Sequence, residues 1–237
     1  MRGPRRRSAL LARLAERPPG CPQSVILDEL RGIILQGEVP PGSAIPVDAV
    51  ATAFGVSRIP VREALMTLIG EGLVDHRPNG GYRVAMLTAR EFGEIYLVRE
   101  ALESAALRAA VAGATEEDDQ QARSALRALD AAIEAEDGGL AYHRESRRFH
   151  LSLIEPCRMG RLLHMLGAAW NLTEPLRPMS HLNGADRELL HSDHAGMLAA
   201  FLRRDADGLS LVCAGHHSRL QDFISSLPQD RGLFANE

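Results

Sequence analysis

Two arginines four residues apart, Arg58 and Arg62, suggest the first chemistry in this sequence. On a helix, residues at that spacing lie on one face, so both guanidinium groups would project side by side. Arginine is the usual bidentate reader of guanine O6 and N7 in the major groove of DNA. The helix dipole favours anions at the same end, because both arginines lie in the first turns. The pair predicts a helix that reads DNA.

Three histidines suggest a second chemistry. His150, His194 and His216 each lie on a different expected helix. Three neutral imidazoles can hold zinc and leave a coordination position open. None of the three belongs to a compact ligand motif such as His-x-x-x-His, so the spacing also fits packed or surface histidines. The residues alone leave both interpretations open.

The residues around the two arginines predict a helix-turn-helix. Gly55 suits the left-handed conformation that ends a first helix. Ser57 can cap a second helix, in which Pro60 is tolerated because the first N–H groups have no intrahelical partner. The inward arc of that helix is Val61, Ala64, Leu65 and Leu68. The outward arc is Arg58, Ile59, Arg62, Glu63 and Met66. We expect this arc, together with Ser57 directly before it, to enter the major groove.

The segment after this helix predicts a wing. Leu73–His76 and Tyr82–Met86 have the character of two strands, and the residues between them, 77–81, are turn-rich. We expect Asn79 and Gly80 at the tip to lie along phosphate or the minor groove. The order helix, turn, helix, wing is that of a winged helix-turn-helix.

The run from Gly55 to Leu65 resembles the signature of the GntR family of bacterial transcriptional regulators, with Ile59 at its variable position. Residues 33–42 resemble the family's first helix and its Gly-x-x-x-Pro-Gly exit. The likeness covers about the first third of the chain. It implies binding to double-stranded DNA at an inverted-repeat operator by a homodimer. A dimer also follows from the reader itself, because one winged helix covers only one half-site.

From Thr88 onward the periodicity predicts an all-helical antiparallel bundle of about six helices, so the whole protein is expected to be mainly α. The expected helices run from Thr88 to about Ala112, onward from Thr115, and over Leu140–Ile154, Arg161–Leu176, Ala185–Arg204 and Ala206–Ser226. We divide the chain into a disordered basic arm (1–20), the DNA-binding domain (21–86), the bundle (87–228) and a C-terminal tail (229–237). The arm carries Arg2, Arg5, Arg6 and Arg7, which suit either extra phosphate contacts or a solvated tail.

The second half resembles the FCD ligand-binding domain, through Arg99-x-x-Leu102-Glu103, Phe149-His150 and Asp193-His194 with a later His216. In that family three histidines and an Asp four residues before the first of them hold a divalent metal, commonly zinc, at the bottom of an effector cavity. The resemblance therefore implies a zinc site at His150, His194 and His216. Here Ser146 stands in the place of the Asp.

The serine makes the expected metal site more cationic. Loss of one carboxylate removes about 4 kcal/mol of repulsion against an incoming anion, at roughly 4 Å and an effective dielectric near 20. We hypothesise a small organic acid whose carboxylate completes the metal shell beside Ser146. The resemblance also implies effector contacts from Arg99 and Arg177, although arginines on a helix often serve in surface ion pairs.

Charge and composition agree with a reader joined to a sensor. The net charge is −4, but residues 1–86 carry +3 and residues 87–237 carry −7. A basic module beside an acidic one is expected if only the first touches phosphate. The three cysteines give no disulfide framework, and no apolar run approaches the length of a membrane span. We therefore expect a cytoplasmic protein without a membrane partner.

The sequence thus predicts a sequence-specific transcriptional regulator, with repression relieved by the effector as the expected sign. A constitutive DNA binder with a purely structural bundle is the alternative, in which Ser146 marks a lost sensor. A metal-dependent hydrolase or lyase is disfavoured, because we find no general base beside the histidines, no nucleophile elbow and no glycine-rich phosphate loop. We do not expect an enzyme.

Overall fold

The computed structural model describes residues 9–14, 21–135, 137, 139–226 and 234–235. It contains two compact units. The first holds the described residues up to Thr88, with Asn171–Leu176 and the pair 234–235; the second holds those of 89–170 and 177–226. Among the helices described, none combines the length and the apolar character that crossing a membrane requires.

The first unit has three α-helices and a small sheet, and we call it the reader because it is the expected DNA-binding domain. Its elements are α1 (Gln23–Leu35), β1 (Ala44–Ile45), α2 (Val47–Phe54), α3 (Arg58–Gly70), β2 (Val74–Arg77) and β3 (Gly81–Val84). The turn between α2 and α3 begins at Gly55, which has φ 63° and is the residue type best able to adopt that left-handed conformation. The expected turn is therefore confirmed.

One apolar core holds these elements together. The inward arc of α3 packs against α1 and α2, and every member of that arc is buried: Val61, Ala64, Leu65 and Leu68. Phe54 closes the end of α2, and Leu73, Val74 and Val84 bring the wing into the same core. The 3.6-residue spacing on α3 leaves its opposite arc free of the core.

The wing is an antiparallel sheet with the strand order β1-β3-β2. Val74 pairs with Val84 and Arg77 pairs with Gly81, so the strands begin and end one or two residues away from the expected bounds. The short strand β1 was not predicted, because a two-residue strand carries no periodicity. Its pairing of Ile45 with Tyr82 is a long-range contact that only the fold supplies.

Two local expectations need correction. Residues 9–14 are not a disordered arm: Leu10–Ala12 form a 3₁₀ turn, and Leu10 is buried in the core of the reader because its leucine side chain gains from leaving water. The basic cluster Arg2, Arg5, Arg6 and Arg7 lies outside the described residues. Ser57 precedes α3 as expected, but its side chain makes no capping hydrogen bond.

The second unit is a bundle of six α-helices, as the sequence predicts. They are α4 (Ala89–Gly113), α5 (Glu116–Ile133), α6 (Leu140–Ile154), α7 (Gly160–Thr173), α8 (Gly184–Leu202) and α9 (Ala206–Ser225). In the bundle α5 packs on α6, α8 packs on α9, and α4 packs on both α6 and α9. Short connections make α5 and α6, and likewise α8 and α9, antiparallel neighbours.

Helix starts in the bundle follow from local hydrogen bonding. Thr115 and Asp118 form a reciprocal capping box at the start of α5, where four acidic residues fill the first turn. Asn183 and Asp205 cap α8 and α9 in the same way, each accepting a hydrogen bond from a backbone N–H. The largest difference from the expected bounds is in α7, which ends at Thr173 and continues as a 3₁₀ turn over Glu174–Leu176.

Polar residues occupy core-facing positions on four of these helices. On α4 the buried stripe runs through Phe92 and Tyr96 to Arg99 and Glu103, and then returns to Leu107. Further buried polar positions are His143, Ser146 and His150 on α6, His194 on α8, and His216 and His217 on α9. A bundle needs apolar side chains at such positions. These residues therefore form a buried polar cluster inside the bundle.

Neighbouring residues on α3 provide a test of the reader's packing. Leu65→Ala should cost about 2–5 kcal/mol, because a fully buried leucine leaves a cavity. Met66→Ala is the matched control: Met66 is 60% exposed, and its truncation should change stability by less than about 0.5 kcal/mol. Urea denaturation followed by circular dichroism measures both. Equal losses in the two variants would contradict the inward arc.

Candidate DNA-reading helix and candidate metal cluster

The outward arc of α3 is exposed from its first residue. Arg58, Arg62 and the neighbouring Ser57 lie on the surface, and Ile59 is 67% exposed. The structure therefore brings together the four residues of this helix that the sequence assigns to DNA. A guanidinium pair with an apolar neighbour suits a groove that presents guanine acceptors and thymine methyl groups.

One of the two arginines has an ion partner. Arg58 pairs with Asp48 of α2, and both side chains are largely exposed. Such an exposed pair contributes little to stability. The guanidinium is therefore available to exchange Asp48 for a phosphate or a base without a large energetic cost.

The tip of the wing is also exposed. Asn79 has φ 60°, a conformation that asparagine tolerates better than most residues, and Gly80 donates its N–H to the carbonyl of Arg77 over 2.9 Å. Both residues lie on the surface. The tight turn places short side chains at the tip, so its backbone can approach a phosphate closely.

A bidentate ion pair fixes the far end of the reading helix. Arg31 of α1 donates from Nε and from Nη2 to the two carboxylate oxygens of Glu71, which directly follows α3, over 2.9 and 2.6 Å. Two parallel charge-assisted hydrogen bonds restrict orientation as well as distance. This pair stabilises the angle between α1 and the reading helix.

In the bundle, the three predicted histidines come together. The ring centroids of His194 and His216 lie 4.6 Å apart, and His150 lies 5.2 and 5.1 Å from them. One ring nitrogen from each lies within 4.8 Å of the others, and all three side chains are buried. They lie on α6, α8 and α9 and are far apart along the chain, so their spacing alone does not show that they are neighbours.

Burial keeps two of these imidazoles neutral. Loss of solvent, reinforced by the neighbouring histidines, holds the pKa of His194 well below its usual value. Burial likewise lowers the pKa of His216 to about 4, although Asp193 opposes the shift. A neutral imidazole has a free lone pair, so neither ring needs to lose a proton before it binds a metal at neutral pH.

Carboxylates stand behind two of the rings. Glu103 Oε1 lies 2.7 Å from His150 Nδ1, and Asp193 Oδ2 lies 3.4 Å from His216 Nδ1. A carboxylate behind a ligating histidine fixes its tautomer and raises its basicity. Asp193 is itself held by Arg219. In His150 the hydrogen bond leaves Nε2 free to face a ligand, and in His216 the nearby carboxylate favours the same arrangement.

The donor set fits a divalent metal. His194 Nδ1 and His216 Nε2 are buried and have no hydrogen-bond partner, which is costly unless they bind something. Ser146 is buried beside them, with Oγ 3.5 Å from His194 Nε2, so it lies where the sequence places it. Three imidazoles and a nearby hydroxyl match a zinc site with an open position.

Comparison with known proteins supplies the family. The model of the bacterial regulatory proteins of the gntR family matches residues 22–84, and the FCD domain model matches residues 94–219. The second match alone spans more than half of the chain. The chain belongs to the GntR family, in the branch that carries an FCD domain. It is a DNA-binding transcriptional regulator, and its family is one of regulators, not of enzymes.

Individual relatives agree with this membership. The chain is 26% identical over 217 residues to the HTH-type transcriptional repressor RspR of Escherichia coli (strain K12), which covers 88% of this chain and 91% of that one. It is 28% identical over 167 residues to the uncharacterized HTH-type transcriptional regulator YdhC of Bacillus subtilis (strain 168), covering 70% of this chain and 75% of the relative.

Two solved structures share the fold. E. coli McbR/YncC superimposes with a TM-score of 0.73 at 24% identity, covering 88% of this chain and 98% of that chain. A putative GntR regulator from Rhodococcus sp. RHA1 gives 0.75 at 21% identity, covering 87% and 99%. At such identities the likeness concerns the fold alone.

The two arginines expected at the effector site of this GntR regulator have different positions. Arg99 is buried in the bundle, with its guanidinium carbon 4.5 Å from the ring centre of Tyr96 and 4.2 Å from that of Trp170. The sequence predicts Arg177 near the end of a helix, but α7 already ends at Thr173. Arg177 instead follows a 3₁₀ turn and has a φ of 46°. Its carbonyl accepts hydrogen bonds from the backbone N–H and the hydroxyl of Ser180. Among the described contacts of the histidine cluster, none involves Arg177.

The sequence did not predict three members of the buried polar cluster. Glu103, Cys213 and His217 are all buried next to His150. Burial raises the pKa of Glu103, but His217 and His150 overcome this and hold that pKa well below its usual value. Two signals could have found them: Glu103 continues the apolar stripe of α4, and Cys213-x-x-x-His217 has the spacing of a ligand pair on one helix face.

The reading helix yields a direct test. Arg62→Ala should cost about 1–3 kcal/mol of DNA binding and relax the preference at one base pair, because a bidentate base contact is lost. Binding isotherms on a set of singly substituted operators measure this. Arg77→Ala, at the base of the wing, is the control and should weaken binding to all sequences alike. A uniform loss from Arg62→Ala would mean that Arg62 holds phosphate.

Proposed function

We propose that this regulator is a homodimeric repressor that binds an inverted-repeat operator and is released by a small organic acid. The observation that carries the proposal is the buried cluster of His150, His194 and His216 inside a bundle joined to an exposed reading helix. Relatives named as repressors, RspR of E. coli and a probable D-xylose utilization operon repressor of Paenarthrobacter nicotinovorans, support the sign.

The proposed sensor is a zinc ion held by the three histidines. Their neutral rings supply three nitrogen ligands from three helices, so a bound ion would tie α6, α8 and α9 together. The ion would supply Lewis acidity toward a carboxylate. Ser146 brings no charge to this group, and the ion's charge would be left for an anionic effector to neutralise.

Arg99 is the proposed second contact of the effector. Its guanidinium lies buried between two aromatic rings, an arrangement that holds the planar fork in one orientation. A fork held in this way suits bidentate recognition of a carboxylate. An acid with two anionic ends would therefore satisfy both the metal and Arg99.

Release from DNA requires unequal binding of the effector to two arrangements of the dimer. Coupling of about 1–3 kcal/mol, or roughly 5–150-fold in affinity, is typical of such proteins. A ligand that bound both arrangements equally would change nothing. Because the metal would be held by three helices, the completion of its shell can favour one packing of the bundle over another.

The proposal is tested by selecting bound DNA from a random pool. Protein purified without an immobilised-metal step is used with zinc and with small mono- and dicarboxylic acids, each alone and combined. We expect an enriched inverted repeat, and at least about fivefold weaker retention with one acid class when zinc is present. An enriched site that ignores every acid and every metal would favour the constitutive binder with a structural bundle. Failure to enrich any sequence would overturn the reader itself.

Restoring the missing carboxylate gives a sharper test of the sensor. Ser146→Asp should raise zinc affinity at least tenfold, because a charged oxygen ligand would join the three imidazoles. It should also weaken the response to acids, since about 4 kcal/mol of repulsion returns at roughly 4 Å and an effective dielectric near 20. Competition with a chromophoric chelator measures the affinity. Ser146→Asn is the matched control, because asparagine has the shape of aspartate without its charge, and it should leave zinc affinity unchanged. Equal gains in zinc affinity in both variants would contradict the charge argument.

A further inference from the structure

A second group of potential ligands lies on the other side of His150. Glu103 of α4, Cys213 and His217 of α9 and His150 of α6 each offer one atom, and these four atoms lie within 4.8 Å of one another. All four side chains are buried. Apart from His150, none of them belongs to the three-histidine cluster.

The distances in this group centre on Glu103. Its Oε1 lies 2.7 Å from His150 Nδ1 and 3.7 Å from Cys213 Sγ, and its Oε2 lies 3.2 Å from His217 Nε2. Neighbouring ligand atoms of a tetrahedral zinc site lie about 3.3–3.8 Å apart, given bonds of about 2.0–2.3 Å. Among these three contacts, the one with His150 must lengthen most, and it would change from a hydrogen bond to coordination of the same ion.

Backbone geometry already pairs two of the four ligands. Cys213 and His217 are four residues apart on α9 and therefore share one face of the helix. Glu103 and His150 approach that face from two helices that pack on each other. Three helices thus supply one sulfur, two nitrogens and one oxygen to a single point.

We propose that Glu103, Cys213, His217 and His150 form a second position for a divalent transition metal ion such as zinc, distinct from the three-histidine position. The ion displaces the thiol proton of Cys213 to solvent and binds the thiolate, with no change of oxidation state. The proposal goes beyond the proposed function, because Glu103, Cys213 and His217 are not metal ligands in it and no effector is required.

Charge balance favours this second position when no effector is bound. A buried dication needs compensating charge, and here the carboxylate of Glu103 and the thiolate of Cys213 supply two negative charges. The three-histidine position supplies none, since Ser146 replaces its carboxylate. Glu103 Oε2 and His217 Nε2 are buried and lie 3.2 Å apart without forming a well-aligned hydrogen bond, so a bound ion would satisfy both atoms better than they satisfy each other.

The shared histidine limits the number of ions. A neutral imidazole has one lone pair, on either Nδ1 or Nε2, and His150 faces this group through Nδ1. It can serve the second position through Nδ1 or the three-histidine position through Nε2, but not both. We therefore expect one ion per chain, bound at one of the two positions. A carboxylate ligand would change the fraction of ions at each position.

Cobalt absorption tests the proposal, because a thiolate bound to Co²⁺ gives an intense charge-transfer band in the near ultraviolet. Full-length protein stripped with a chelator and kept reduced is titrated with Co²⁺ alone. We expect the band to appear and to saturate at one ion per chain. Absence of the band overturns the proposal, and saturation at two ions overturns the sharing of His150.

Matched variants identify the sulfur. The double variant Cys21→Ser, Cys157→Ser leaves Cys213 as the one cysteine of the chain and should keep the band. Cys213→Ser should lose it, with circular dichroism confirming the helical fold, and a band that survives there overturns the assignment. His217→Gln should lower cobalt affinity at least tenfold; an unchanged affinity overturns the ligand role of His217.

One further variant separates the two metal positions. His194→Ala removes a ligand of the three-histidine position only, so it should keep the band while losing the combined response of DNA binding to zinc and acid. Loss of the band in His194→Ala would show that the thiolate does not belong to an independent position. A wild-type protein that binds zinc without the band would overturn this inference and leave the three-histidine proposal standing.

Discussion

A buried carboxylate constrains the whole interior of the bundle. Glu103 is 1% exposed and yet its pKa lies well below the usual range, so it is charged in the middle of a helical core. Such a charge is tolerated only with close partners, because an isolated ion loses several kcal/mol of solvation. His150 and His217 are those partners, and their positions fix how α4, α6 and α9 pack. The position of His150, which belongs to the candidate metal cluster, therefore depends on this one acid.

In the reader, the polar groups lie on the surface instead of in the interior. Its interior is apolar, and its chemistry lies on the surface, where Arg58 and Arg62 project from the outward arc of α3. Groups that must exchange water for phosphate and base edges have to be accessible, while the helix that carries them must be rigid. The apolar core and the Arg31–Glu71 pair provide that rigidity. Recognition and stability thus use different faces of the same helix.

The serine at position 146 changes what the proposed sensor would bind. With a carboxylate at position 146, a metal would be partly neutralised by the protein itself. With Ser146, the positive charge of a bound metal would be left to an anion from outside or to the acid and thiol on the far side of His150. The family supplies the fold and the three histidines, and this chain's own residues decide where negative charge is available.

Much of the architecture follows from sequence alone, because helix periodicity, caps and the tight turn at Gly55 are local properties. The six bundle helices, the reading helix and the outward arc all derive from spacing that a single segment contains. Errors arise where local signals are weak: the two-residue strand β1, the burial of Leu10 and the early end of α7 before Arg177.

The buried polar cluster, in contrast, does not follow from local sequence. The sequence names His150, His194 and His216 through a family resemblance, but it does not reveal that Glu103, Cys213 and His217 lie beside them. Those contacts join residues about 50 to 110 positions apart, and their geometry is fixed by how whole helices pack rather than by any local preference. Sequence determined which elements form and which faces they present; tertiary packing decided which polar groups share one buried space.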